Sequence, residues 1–294
     1  MYDSYLDLPQ ESGKRVHVWP VPYEGTASFG RGTKDGPEAI LRASYEIETW
    51  DQALGVDLQD LAHFRSMDFF RAPVSGPEDC FRGMLQTLKE QRDPARDFLL
   101  TLGGEHSVAL APIAFYAQQH PEMVVLQLDA HADLRDSFQS SRYSHACVMG
   151  RVRERKLPLL QLGIRSLSRE ESELIASSPP EELLCLFAWE LEDPEDAARL
   201  VQEQVRGRPL YITFDADALD PSIMPGTGTP EPGGILFEWL QAFWAQLFRG
   251  GSTLLGMDFC ELAPLPAAGV ASESTAVKCI NRILTCALKY RAMR

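Results

Sequence analysis

Three stretches of this 294-residue chain end apolar runs in groups that can hold a divalent cation. Residues 124–136 read VVLQLDAHADLRD, in which Asp129, His131 and Asp133 alternate with alanines. In an extended backbone, side chains at i, i+2 and i+4 share a face, so two carboxylates and an imidazole are expected to meet while Ala130 and Ala132 turn away. Asp215 and Asp217 repeat the spacing after the strand-like run 210–214, and His106 follows the apolar run 98–102 and a glycine pair. A single His after a strand is ordinarily a satisfied polar residue, and an Asp-x-Asp pair is often a turn or cap. The recurrence of such groups at three strand ends points instead to a metal centre. Six ligands exceed a closed tetrahedral site, and one octahedral ion using all six would keep no open position. Two ions sharing carboxylates meet both conditions, and oxygen-rich ligation with one imidazole each suits two Mn²⁺ per chain. A water bridging such a pair loses its proton near neutral pH and becomes a hydroxide nucleophile, so the expected chemistry is hydrolysis.

The elements around these groups follow from periodicity. Residues 124, 125, 126 and 128 are apolar without alternation, which predicts a strand buried on both faces, its ligands at the carboxyl end where open α/β sheets place their sites. Further strands are expected at 15–19, 61–67, 98–102, 159–164, 183–187, 210–214 and 252–258. Helices are expected at 37–43, 78–91, 107–119 capped by Ser107, 145–156 capped by Ser144, 169–176, 194–206, 235–248 and 273–289. Alternation of strands and helices predicts an α/β fold with one mainly parallel sheet covered on both sides. The Pro/Gly-rich segment 225–234, PGTGTPEPGG, is expected to wall the pocket, with Thr229 a candidate substrate contact, and the long loop 20–32 after the first strand is of a kind that often carries function. No repeat, linker or Gly-x-Gly-x-x-Gly phosphate loop is present.

Composition narrows the class. A hydrophobic content of 45% is ample for a core, and a formal net charge of −14 argues against nucleic acid or anionic membrane partners while suiting a small cationic substrate. The six cysteines show no Cys-x-x-Cys pair or framework spacing, as in a reduced intracellular protein. Residues 1–15 lack the basic and apolar regions of a secretory leader, and the longest apolar run, 183–189, is too short to span a membrane, so a cytoplasmic protein is expected.

GGEHS at 103–107, DAHAD at 129–133, FDADALDP at 214–221 with the segment after it, and GMDFCEL at 256–262 resemble the signature blocks of the ureohydrolase family, the arginase and agmatinase group. The resemblance runs from about residue 16 to the last helix and implies one catalytic domain over 1–294, a three-layer α/β/α fold with a sheet of about eight strands, and a trimer or hexamer. It implies that His106, Asp129, Asp133 and Asp215 bind one Mn²⁺ and His131, Asp129, Asp215 and Asp217 the other, with Asp129 and Asp215 bridging. Glu261 matches the glutamate that pairs with a substrate guanidinium, and His145 a histidine that shuttles protons; Asp217 or His145 is then the proton donor to the leaving amine.

An arginase of this family holds its amino acid with an Asn- and Ser-rich segment and an Asp after a Gly-x-Arg turn. Here 134–146 contain no Asn, and Ser166 stands in place of that Asp. The Asp-Leu-Arg-Asp and Tyr-Ser-His-Ala pattern is similar to prokaryotic agmatinases, so agmatine is the expected substrate, giving putrescine and urea in polyamine metabolism. Asp136 is a candidate for attracting its distal ammonium. Ala146 stands where many members have Gly. Aminopropylagmatine, guanidinobutyrate and arginine are the alternatives within the family. Outside it stand a metal-binding pseudoenzyme and a dinuclear phosphate-ester hydrolase, for which Arg135 and Arg142 would have to bind the anion.

Overall fold

Apolar side chains on both faces of each central strand force the sheet between two helical layers. A computed structural model describes residues 5, 6 and 13–293, so most of the stretch 1–12 read for a leader lies outside the described residues. The strands are β1 (Lys14–Val21), β2 (Trp50–Asp51), β3 (Val56–Asp57), β4 (Ala62–Ser66), β5 (Phe98–Gly103), β6 (Val124–Leu128), β7 (Leu159–Ile164), β8 (Leu183–Phe187), β9 (Pro209–Asp215) and β10 (Thr253–Cys260). The helices are α1 (Gly36–Ser44), α2 (Leu58–Leu61), α3 (Pro77–Gln91), α4 (Leu110–Tyr116), α5 (Val148–Glu154), α6 (Arg169–Ser177), α7 (Pro194–Val205), α8 (Phe237–Arg249) and α9 (Ala271–Lys289). Eight strands form one sheet in the order β4-β1-β5-β10-β9-β6-β7-β8, every pairing parallel, as expected of the family fold.

Neighbouring residues divide the two cores between them. Val124 and Leu126 join the cluster under α1, α7, α8 and α9, whereas Val125 joins the cluster under α3, α4 and α5. Trp244 and Phe243 of α8 are fully buried in the first, Tyr116 and Phe115 of α4 in the second. Among the described residues no helix is long and apolar enough to cross a membrane, and all six cysteines are unpaired.

Several expected boundaries shift for local reasons. The helix expected over 107–119 begins as a 3-10 turn, His106–Ala109, before α4, and Ser107 does not cap it: its hydroxyl donates to Glu105 Oε1 at 2.6 Å. The helix expected over 145–156 likewise opens as a 3-10 turn, His145–Cys147, with no side-chain cap from Ser144. By contrast Ser168 forms a full capping box with Glu171 on α6, and Asp193 caps α7 through two backbone amides. The β2–β3 hairpin and α2 carry no strong pattern and were not anticipated.

Gly104 joins two elements that approach too closely for a side chain. Its amide donates to Val21 O and the Glu105 amide to Tyr23 O, and a Cβ on Gly104 would lie 2.0 Å from Tyr23 O. The chain leaving β1 is thereby pinned along the end of β5, which carries the loop 22–28 to the carboxyl edge of the sheet.

Candidate active site

Four strands adjacent in the sheet, β5, β10, β9 and β6, deliver His106, Glu261, Asp215, Asp217, His131 and Asp133 to the lining of one cleft of about 230 Å³ at their carboxyl ends. His106 follows β5, Glu261 follows β10, Asp215 ends β9 with Asp217 in the turn beyond, and Asp129, His131 and Asp133 follow β6.

The convergence is real, but the extended backbone assumed for it is not. β6 ends at Leu128, and Asp133 has a left-handed φ of 52°. Glu261 also has a left-handed φ, 63°, so two non-glycine residues of the site hold conformations that cost of order 1–3 kcal/mol each. The turn after β6 is fixed by two buried glutamines facing each other across β6 and β7. Gln161 Nε2 donates to Gln127 Oε1 and Ala132 O, and Gln127 Nε2 donates to Asp129 Oδ2 and His131 O. Neither glutamine was singled out beforehand, although each stands as the one polar residue in a Leu-Gln-Leu strand. Asp215 accepts from the Asp217 amide at 2.9 Å, and Asp217 accepts from the Ala130 amide and from Thr229 Oγ1. Arg165 reaches the carbonyls of Asp217 at 2.7 Å and Glu231 at 2.8 Å, clamping the Pro/Gly-rich segment against the end of β9.

Two ligand groups result. His106 with Asp129 and Asp215, and His131 with Asp129 and Asp217, each bring their donor atoms within 4.8 Å of one another. Asp129 is common to both; Asp215 falls in the first only, whereas it was expected in both. Asp133 joins the first through its Oδ2, 3.0 Å from His106 Nδ1. The donors suit a divalent ion. His106 Nε2 lies 2.8 Å from Thr213 Oγ1, whose single hydrogen goes to Asp258 Oδ1 at 2.8 Å. The hydroxyl must therefore accept from Nε2–H, which leaves the Nδ1 lone pair for a cation held among the carboxylates. Tyr211 OH donates to the other oxygen of Asp258. With this orienting chain cut, Thr213→Val is expected to weaken divalent-ion binding by about 10–100-fold with the fold retained, read by competition with a metal indicator; unchanged affinity would reject the assignment.

Electrostatics fit the same picture. Burial opposes charge on His131, but Asp217 and Asp129 outweigh it and hold the imidazole up at about 12. Burial and the neighbouring charge of Asp129 push Asp133 up to about 7, against the pull of His106. Burial, then Asp217 and Asp129, raise Asp215. In the metal-free protein the protonated His131 contributes stability that is fully present below its ordinary value of 6.5 and is lost as pH rises toward 12. A cation has to displace these protons. Affinity is therefore expected to rise with pH across about 6–9, with net proton release. Calorimetry in buffers of different ionisation enthalpy counts the protons, and pH-independent binding would contradict the assignment.

The remaining expected residues divide. Glu261 is 8% exposed and lines the cleft; its Oε1 accepts from the His106 amide at 2.7 Å, and Oε2 has no hydrogen-bond donor among the described residues. Burial and the nearby Glu105 raise its pKa. His145 lines the cleft, its pKa lowered chiefly by burial, and Thr229 lines it too. Asp136 does not: its exposed carboxylate is held by Arg142 and Arg151 at 2.8 and 2.9 Å, outside the residues that line the cleft. Arg142 also pairs with Glu154 outside the cleft. Arg135 lines it but lies 3.9 Å from Glu171 and over the Phe138 ring.

Carboxylates and two imidazoles grouped around one shared aspartate, over the carboxyl edge of a parallel sheet, define an α/β enzyme built for metal-assisted hydrolysis. The sequence model of the Arginase family matches residues 14–286, and the chain belongs to that family of binuclear metal enzymes. It is an agmatinase-like ureohydrolase, acting on guanidino C–N bonds. It is 34% identical over 267 residues to the N(1)-aminopropylagmatine ureohydrolase of Synechocystis sp., covering 89% of this chain and 85% of that protein. It is 34% identical over 228 residues to the agmatinase of Pyrococcus horikoshii, covering 75% and 76%. The solved proclavaminate amidino hydrolase of Streptomyces clavuligerus superposes with a TM-score of 0.84 at 25% identity, covering 98% of this chain and 97% of that one.

Proposed function

We propose that this chain removes urea from the guanidino group of a linear amine, agmatine being the simplest, to release putrescine, with two Mn²⁺ as cofactors. The observation that carries the reading is the buried Glu261, which lines the cleft beside the ligand groups with one carboxylate oxygen open. Asp133, Asp215, Asp217, Glu171 and Glu261 line the cleft, against Arg135 as its one guanidinium among the described lining residues. With Asp133, Asp215 and Asp217 committed to the ions, Glu261 is left as the carboxylate that can face a cationic guanidine, and Arg142 is engaged by carboxylates outside the cleft.

In this reading His106, Asp129, Asp133, Asp215, His131 and Asp217 hold the ions. Bound there, they would supply an acidified water as the nucleophile for attack on the guanidino carbon. Glu261 takes the planar guanidinium through the oxygen left open beside its bond to the His106 amide, setting the guanidino carbon over the cluster by charge-assisted hydrogen bonds. Thr229 holds Asp217 in place through Oδ2. Asp217 or His145 returns a proton to the leaving amine nitrogen, so that urea and a free amine depart. The chain works as one catalytic domain, in the cytoplasm and as a homo-oligomer of three or six subunits; its free cysteines accord with a reducing compartment.

A longer substrate is a second reading. Relatives named N(1)-aminopropylagmatine ureohydrolase, in Synechocystis sp. and at 35% identity in Thermus thermophilus, favour an aminopropyl extension on the same guanidine. Urea release from equal concentrations of agmatine, N1-aminopropylagmatine, guanidinobutyrate and arginine by Mn²⁺-loaded protein tests both. Turnover of the two amines above the two carboxylates is expected, and their ratio sets the chain length. Preference for either carboxylate overturns the amine reading, and silence on all four overturns ureohydrolase action on these substrates.

A further inference from the structure

The loop after β1 is held by Glu105, a residue after β5 that the preceding mechanism does not use. Glu105 is fully buried beside the cleft and accepts four hydrogen bonds: Gly25 N at 2.7 Å and Thr26 N at 2.6 Å on Oε2, Thr26 Oγ1 at 2.7 Å and Ser107 Oγ at 2.6 Å on Oε1. A carboxylate accepts and does not donate, so the single hydrogen of the Thr26 hydroxyl is committed to Glu105. Two groups of His145 approach the same oxygen, the backbone N–H at 3.1 Å and Nδ1 at 3.0 Å. With its hydrogen spent, Thr26 Oγ1 can only accept from both.

We infer that Thr26, held by Glu105, is a positioning residue that fixes His145 as its Nδ1–H tautomer, so that Nε2 is the nitrogen open to accept and hand on protons in the cleft. Ser28 Oγ, which also lines the cleft, stands 3.4 Å from Nε2 and can donate to it. Ser144 Oγ lies 3.4 Å from Nδ1, farther than Thr26. The Phe138 ring meets the imidazole edge to face, 5.7 Å between centroids at 83°, and restrains its rotation. A proton taken at Nε2 while Nδ1 keeps its own makes an imidazolium, and the Nε2 proton is the one passed to the leaving nitrogen. The arrangement has the logic of a hydrolase base oriented by a third group, with a hydroxyl between imidazole and carboxylate.

This inference rests on the ureohydrolase reading for its catalytic meaning, but not for its test. Full-length protein labelled with ¹⁵N-histidine, loaded with diamagnetic Mg²⁺, is examined by long-range ¹H–¹⁵N correlation at about pH 8, where an ordinary imidazole is neutral. The His145 signals are identified by their loss in His145→Asn. The expected spectrum shows a protonated Nδ1 and an unprotonated Nε2, kept in Thr26→Ser and shifted toward the Nε2–H form in Thr26→Val. In urea release, Thr26→Val is expected to lose about 10–100-fold in kcat with KM little changed, within the range of a misplaced general acid or base, and serine is expected to restore it. An Nε2–H tautomer in the unaltered protein, or one indifferent to Thr26→Val, overturns the proposal. A correct tautomer in a protein that hydrolyses no guanidine overturns the function instead and leaves the hydrogen-bond assignment standing.

Discussion

Asp129→Asn is expected to abolish urea release and at least halve the bound metal. Asp129 is the one residue common to both ligand groups, and its buried carboxylate also takes the His131 amide at 2.6 Å and Gln127 Nε2 at 2.7 Å. An amide nearly matches its shape but removes the negative charge from between two cations and offers one acceptor in place of two. Loss of an outer partner of a metal ligand costs about 10–100-fold. Loss of a shared ligand should exceed the upper end of that range in kcat/KM. Elemental analysis of the purified variant with a urea assay across metal concentrations checks it. Full metal content with near-normal turnover would remove Asp129 from the centre and, with it, the paired-ion reading.

The second large effect is expected from Glu261→Gln, and here metal content should be unchanged. Glutamine can keep the acceptor for the His106 amide through its carbonyl oxygen, so the backbone around Glu261 is preserved. What disappears is the charge facing the substrate. A hydrogen bond to a charged group contributes about 1.5–3 kcal/mol, so two of them to a guanidinium place the loss near 10²–10⁴-fold in kcat/KM. Urea kinetics beside metal analysis separate recognition from ion binding. A variant retaining more than a tenth of the activity would move the guanidine away from Glu261.

Much of this site was legible in the chain because its ligands sit at the ends of apolar strands, and strand ends are the part of a parallel sheet that sequence marks most clearly. Asp129, His131, Asp133, Asp215, Asp217 and His106 were found by that rule, and so was the order of strands and helices. How they converge was not legible. The i, i+2, i+4 argument needed an extended chain as far as Asp133, whereas the backbone leaves the strand at Leu128 and Asp133 turns left-handed. Short-range pattern also cannot find partners that meet only in the fold. Thr26 and Glu105 lie 79 residues apart, and Thr213 reaches Asp258 on the adjoining strand. Ser107 carries the signal of a cap, a hydroxyl before an apolar run, but donates instead to a buried carboxylate two residues earlier. Asp136, too, meets partners that no local pattern marks, Arg142 and Arg151, and lies outside the cleft lining.

The place of β10 in the sheet bears on how the protein is made. It is the last strand in the chain, yet it stands between β5 and β9, in the middle of the order. A nascent chain that has emerged only as far as α8 already carries both histidines and all four aspartates of the centre, but in two half-sheets with nothing between them. His106 sits on the half formed by β4, β1 and β5, and the aspartates sit on the half formed by β9, β6, β7 and β8. Long-range parallel pairing is slow, because loop closure comes before any contact that rewards it. The two halves can lock in register only when β10 inserts between them. The centre therefore closes only once β10 has joined the half that carries His106 to the half that carries the aspartates.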